Sequence, residues 1–154
     1  MDSFSLTPIG LVHASRKTPE DDQWGGEVAT IKLDATRFTE EAVAGLPDFS
    51  HLEVVFLMHL VADNKIETGA RHPRNRQDWP RVGIFAQRAK GRPNRLGVSR
   101  CRLLKVEGLT LTVQGLDAIE GTPVLDIKPY MVEFGPRGEV RQPDWATEVM
   151  KEYY

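Results

Sequence analysis

The sequence contains one cysteine, Cys101, so no internal disulfide can form and stability must come from a packed core. A lone cysteine also fits a reducing, cytoplasmic compartment. Cys101 sits in a strand-like run, which reads as a buried inert thiol rather than a nucleophile. No apolar run approaches the roughly 20 residues that cross a bilayer, so no membrane span is expected. The opening Met1-Asp2-Ser3-Phe4-Ser5 lacks the basic-then-apolar pattern of a secretory signal. Metal-ligand spacing is missing as well. His13, His51, His59 and His72 have no ligand spacing with one another, and a lone thiol cannot complete a thiolate site. There is no Gly-x-Ser-x-Gly elbow and no dinucleotide glycine pattern. Gly91 to Gly97 lacks the terminal Gly-Lys-Ser/Thr of a phosphate-binding loop. Internal repeats and low-complexity tracts are absent.

What is present suits one ordinary domain. The 154 residues suffice for a real core. A net charge of −2 argues against a general nucleic-acid coat, but the charge is unevenly placed. From Arg71 to Lys105 there are 11 Lys/Arg against the single acid Asp78. A basic segment on an acidic body can direct a polyanion to one face. The alternative is a set of arginines scattered over a solvated surface by strand alternation.

Period-two alternation predicts strands over residues 7–13, 27–33, 97–106 and 109–113, with Glu107-Gly108 turning between the last two. Val54 to Met58 is continuously apolar and predicts a central strand covered on both sides. Further strands are expected at 82–86, 124–127 and 130–134. Residues 34–45 read as a short helix capped by Thr36. Residues 14–26 form a long polar loop in which Trp24 argues against disorder. Residues 63–80 read as a mobile surface loop. A C-terminal helix over about 143–154 places Trp145, Val149 and Met150 on one side. Seven or eight short strands without long strand–helix alternation predict a mainly β fold, an antiparallel barrel or sandwich with short helical additions.

Two loops rich in Gly, Pro and charge organise the chain. One runs through Gly83-Ile84-Phe85-Ala86-Gln87-Arg88 and Arg92-Pro93-Asn94-Arg95-Leu96-Gly97-Val98-Ser99. The other is Glu120-Gly121-Thr122-Pro123-Val124-Leu125-Asp126-Ile127-Lys128-Pro129-Tyr130. Loops held on rigid strands are where binding groups usually sit, although tight turns alone explain many Gly/Pro clusters. His59, at the end of an apolar run, reads either as a core histidine or as a ligand contact.

Together with Pro8-Ile9-Gly10-Leu11-Val12 and Phe49-Ser50-His51-Leu52, these motifs resemble the TsaA-like family, also called TrmO. The resemblance runs from about Pro8 to Tyr130. It implies a single small antiparallel β-barrel domain over residues 1–154, with its core at about 8–130. It also implies S-adenosyl-L-methionine as cofactor, a homodimer, and N6-methylation of N6-threonylcarbamoyladenosine at tRNA position 37. By resemblance the cofactor pocket takes Asp21, Asp22, Gln23, His59, Leu60, Arg88, Val98, Asp117, Ala118, Ile119 and Glu120. Within it, Asp117 or Glu120 would face the ribose or the sulfonium, and Arg88 would pair with a carboxylate or a phosphate. Asp126, Lys128 and Tyr130 would orient the acceptor amide or accept its proton. Asp126 and Tyr130 have a second reading, as a hydrogen-bonded pair closing the last strand. Arg92, Asn94 and Arg95 would hold tRNA phosphates, or Arg92 and Asn94 would brace their loop. The two loops are expected to meet in one cleft, with Arg88 and Glu120 facing the same ligand. Arg95-Leu96 replaces the family's Pro-Ile, Gln87 replaces its Thr, and Leu60 replaces its frequent Gln. The C-terminal domain of larger bacterial members is not expected here. A cofactor-binding module without catalysis and a small-molecule methyltransferase are the alternatives.

Overall fold

The computed structural model describes residues 1–154. Six strands close a barrel: β1 (Gly10–His13), β2 (Val28–Leu33), β3 (His51–Leu57), β6 (Leu96–Glu107), β7 (Thr110–Gln114) and β8 (Pro123–Pro129). Their order around the barrel is β1-β2-β7-β6-β3-β8, and every pairing is antiparallel. Closure comes from Gly10 opposite Val124 and Leu11 opposite Pro123. Two-residue strands β4 (Ala70–Arg71) and β5 (Val82–Gly83) pair separately.

Alternation along each strand sends one set of side chains inward. Val12, Ile31, Leu52, Val54, Phe56, Cys101, Leu111, Val113 and Val124 fill the interior. A barrel of six strands is narrow, so large rings need small neighbours. Gly97 lies opposite Phe56, and a Cβ there would sit 2.4 Å from the ring. Cys101 is buried, and burial, with the nearby Asp117 charge, pushes its thiol up to about 12. It is an inert core group.

Several local expectations differ from the structure. Strand β3 is not covered on both sides: Leu52, Val54 and Phe56 are buried, whereas Glu53, Val55 and Leu57 are only partly so. In a barrel, the outer face of every strand meets whatever lies outside. Residues 34–45 form no α-helix, only a 3₁₀ turn over Glu40–Val43. Thr36 does not cap it. Its backbone N–H and hydroxyl both donate to Asp34 Oδ1, at 2.9 and 2.6 Å, which closes a local turn in place of a helix start. Residues 130–134 contain the 3₁₀ turn Val132–Phe134 instead of a strand. The segment 63–80 is organised by three anchors: the β4–β5 pair, buried Trp79 and buried Pro73. His72 Nδ1 lies 2.7 Å from the Trp79 carbonyl. Helix α1 spans only Asp144–Val149, and turns carry the chain on to Tyr154.

Candidate cofactor cleft at the barrel mouth

The antiparallel order gathers particular strand ends at one mouth of the barrel: the ends of β1, β3 and β7 and the starts of β2, β6 and β8. The connections there carry most of the chemistry-bearing residues. They enclose a cleft of about 1120 Å³, large enough for a cofactor-sized ligand.

Among the residues expected at a cofactor pocket, His59, Leu60, Arg88, Val98, Asp117, Ala118, Ile119 and Asp21 line this cleft. The loop at 83–99 therefore meets Asp117, Ala118 and Ile119, just before the second Gly/Pro-rich stretch, whereas of Glu120 to Tyr130 itself only Thr122 reaches the cleft. Arg88 Nη2 donates to the Val98 carbonyl at 2.9 Å, which ties the first loop to β6. Gly121, in the left-handed region at φ +78°, lies beside the His59 ring.

Glu120 takes a different direction and is not part of the cleft lining. Its carboxylate accepts the Ala14 N–H at 2.7 Å and lies 3.2 Å from His13 Nδ1. The Ala14 N–H, followed by His13 and Lys17, holds this carboxyl below its ordinary range. Glu120 thus latches the loop after β1 to the start of β8. Asp22 and Gln23 also point elsewhere. Asp22 accepts both ends of the Arg74 fork, at 3.0 and 2.8 Å, and this pairing raises the guanidinium further above its usual value. Gln23, left-handed at φ +67°, directs its amide to Glu152. Arg16 braces this loop from beneath: it donates to the Asp22 and Gln23 carbonyls and stacks 4.3 Å from the Trp24 ring.

The residues expected to meet tRNA are partly committed to their own loops. Arg92 Nη1 donates to the Gln87 carbonyl at 2.7 Å. Arg95 Nη1 donates to the Val61 carbonyl at 2.6 Å and pairs with Asp63 at 3.2 Å. Asn94 and Arg92 line the cleft and Arg95 does not. Asn94 and Arg95 both adopt positive φ, at +64° and +51°.

Asp126, Lys128 and Tyr130 are not brought to the cleft of their own chain. They lie four to eight residues beyond Thr122, roughly 13–26 Å farther along an extended strand. Asp126 and Lys128 pair with Val55 and Glu53, whose neighbours on β6 are Val98 and Arg100, so they occupy the barrel's outer face. Lys128 Nζ is 3.0 Å from Asp126 Oδ2, and Arg100 lies 5.3 Å from the Tyr130 ring. Asp126 and Tyr130 do not bond each other; Asp126 Oδ1 accepts the N–H of Ile127.

Four buried polar atoms at the cleft have no partner: His59 Nδ1, Arg71 Nε, Gln87 Oε1 and Asp117 Oδ1. Buried polar groups are normally paired, so such a cluster marks a surface shaped for a ligand. Arg71 donates and Asp117 and Gln87 oxygens accept, which suits a ligand carrying both hydroxyls and an acid group. Arg71 and Gln87 were noted in the sequence, as part of the basic segment and as a departure from the family motif, but neither was placed at the site, and Tyr153 was not noted at all. Tyr153 left a further signal there, since Trp145, Val149 and Tyr153 recur every four residues. Gln87 also fixes the neighbouring loop, since its Nε2 donates to the Arg71 and Val82 carbonyls, both at 2.9 Å.

A family model described as the tRNA-methyltransferase O N-terminal domain matches residues 11–135. A probable S-adenosyl-L-methionine-binding protein of Methanothermobacter thermautotrophicus is 36% identical over 135 residues, covering 86% of this chain and 94% of that protein. The tRNA (adenine(37)-N6)-methyltransferase of Escherichia coli is 39% identical over 143 residues, covering 85% of this chain and 59% of that protein. A crystal structure of TrmO from Pseudomonas aeruginosa superposes with a TM-score of 0.74 at 30% identity, over 93% of this chain and 62% of that one. The chain thus spans about three fifths of these two longer relatives. Matched along most of its length in sequence and in barrel architecture, this chain belongs to the tRNA-methyltransferase O N-terminal domain family.

Proposed function

We propose that the chain is an S-adenosylmethionine-dependent methyltransferase acting on the adenine N6 position at tRNA position 37, with N6-threonylcarbamoyladenosine as the acceptor. The observation that carries this reading is the convergence of Arg88, His59 and Asp117 to Ile119 at one barrel mouth, together with buried polar atoms that lack partners. The donor set fits the cofactor. Asp117 Oδ1 suits a ribose hydroxyl, Arg71 and Arg88 suit the methionine carboxylate, and Trp24, Phe56 and Ile119 supply apolar wall for a purine.

When bound, S-adenosylmethionine supplies an electrophilic methyl group and a neutral thioether leaving group. The chain's own residues bind, orient and exclude water, and positioning lowers much of the barrier to an in-line displacement. Lys65 and Lys90 stand at the rim, where a tRNA phosphate would approach. Asp126, Lys128 and Tyr130 are assigned to proton handling in a homodimer, where a second copy abuts the cleft. Support comes from exposed Leu60, Phe85, Leu96 and Val98 beside the cleft. Val98 also lies in the outer row with Val55 and Asp126. Sedimentation equilibrium tests this assembly: a monomer at all concentrations removes it. A tRNA acceptor also assigns the protein to the cytoplasm.

The test is nucleoside mass spectrometry of modified tRNA incubated with the purified chain and S-adenosylmethionine. Gain of one methyl group on the position-37 nucleoside is expected; unchanged tRNA beside a bound cofactor contradicts the transferase. The distance of Asp126, Lys128 and Tyr130 from the cleft favours one second reading, a cofactor-binding module without turnover. Saturable binding with no methylation of any tRNA selects it.

A further inference from the structure

The segment after residue 135 lies beyond the family match, yet it forms a wall of the cleft. Helix α1 and the residues to Tyr154 cross the barrel mouth as a strap with three separate ties. The Gln23 N–H donates to the Glu152 carbonyl at 2.9 Å, and the Trp24 N–H donates to the Tyr153 carbonyl at 2.8 Å. Trp79 Nε1 donates to Glu148 Oε2 at 2.6 Å. Gly25 permits this approach, since a Cβ there would stand 2.9 Å from the Tyr154 carbonyl carbon. At the inner end, the Tyr153 hydroxyl donates to Asp117 Oδ2. The other Asp117 oxygen, Oδ1, is buried and has no partner.

We infer that Tyr153 is a positioning residue for the cofactor: the strap holds its hydroxyl on one Asp117 oxygen and thereby reserves the other for the ligand. The inference rests on the proposed S-adenosylmethionine site and adds to it a determinant outside the matched domain. A carboxylate whose one oxygen is fixed loses little rotamer freedom on binding, so affinity rises through pre-organisation. Burial and the adjoining Asp117 charge push the Tyr153 phenol far above its ordinary value, so it remains a donor at neutral pH.

The experiment is calorimetric titration of S-adenosylmethionine into the full chain, as wild type, Tyr153→Phe, Asp117→Asn and the double variant. Tyr153→Phe keeps the ring and removes the donor. It is expected to weaken binding about tenfold, the size of one lost hydrogen bond at a charged group. It should add nothing in the Asp117→Asn background, because coupled residues are non-additive. Glu148→Gln, which loosens the strap at a distance, should weaken binding in the same direction. Binding by Tyr153→Phe as tight as or tighter than wild type overturns the inference, the tighter case making the strap an inhibitory latch. Equal losses in both backgrounds overturn it too. Failure of wild type to bind at all removes the proposed site and the inference with it; wild-type binding with unchanged variants removes only the inference.

Discussion

Gly97 shows how one atom decides a fit. Its inward position faces the Phe56 ring, and no shift of a flexible chain end can relieve a Cβ placed 2.4 Å away. Gly97→Ala is therefore expected to cost about 1–3 kcal/mol, the usual range for overpacking, as read from urea unfolding midpoints. Glu120 gives a pH prediction. Its folded pKa is depressed, so the folded state binds fewer protons there than the unfolded chain. Its contribution is present above about pH 4.5 and is lost as the pH falls through the lowered folded value. Glu120→Gln should flatten that part of the acid limb in urea titrations across this range, and an unchanged limb would count against the latch. At the alkaline end Tyr153 behaves oppositely. Its raised pKa means that stability is present below the ordinary 10.0 and declines as pH rises beyond it. Burial and the Asp117 charge raise Tyr154 as well, so ultraviolet titration should show two late phenols, of which Tyr153→Phe removes one.

At the scale of elements, Trp79 fastens the segment 63–80. It is buried, Arg76 stacks 3.9 Å from its ring, and its indole N–H reaches the strap. Trp79→Ala should cost about 3–5 kcal/mol, as buried aromatic truncations do, and should expose 63–80 to proteolysis. That segment read as mobile from its composition because its one strand, β4, is only two residues long and pairs with a strand, β5, that lies beyond it. Strands β1, β2, β6 and β7 were legible because alternation survives in them. Strand β3 misled because Val55 and Leu57 are apolar on the outer face too, and periodicity cannot tell an outer surface from a second layer. The missing helix at 34–45 reflects Asp34, whose side chain captures the Thr36 N–H and hydroxyl in a local turn.

On the scale of the whole molecule, the cleft is a product of topology. Residues from about 19 to 154 meet there because six strand ends share one mouth. The resemblance supplied candidate residues on four loops, and Arg88, His59 and Asp117 do share a cleft. The directions of Glu120, Asp22 and Gln23 could not be read from the sequence, since each is set by a partner elsewhere in the chain: Ala14, Arg74 and Glu152. The basic segment is similarly divided. Arg74, Arg76, Arg95, Arg100 and Lys105 are paired with acids, and Lys90 more loosely with Asp21 at 3.8 Å, which leaves fewer charges for a polyanion than the sequence count suggests. Phosphate contacts by Lys65 and Lys90 predict a tRNA-binding salt slope of about −1.4 to −1.8, at about 0.7–0.9 per contact. A Lys90→Ala variant should lower that slope by roughly one contact's worth.

Trp24 and Trp145 line the cleft, so ligand entry can be read from the protein's own emission. The most direct test is a tryptophan-fluorescence titration of wild type and Asp117→Ala with S-adenosylmethionine, with both folds checked by circular dichroism. A saturable change in wild type that is lost in Asp117→Ala is the expected result. No saturable change in wild type, or an identical titration in the variant, would contradict a methyl-donor site at the barrel mouth.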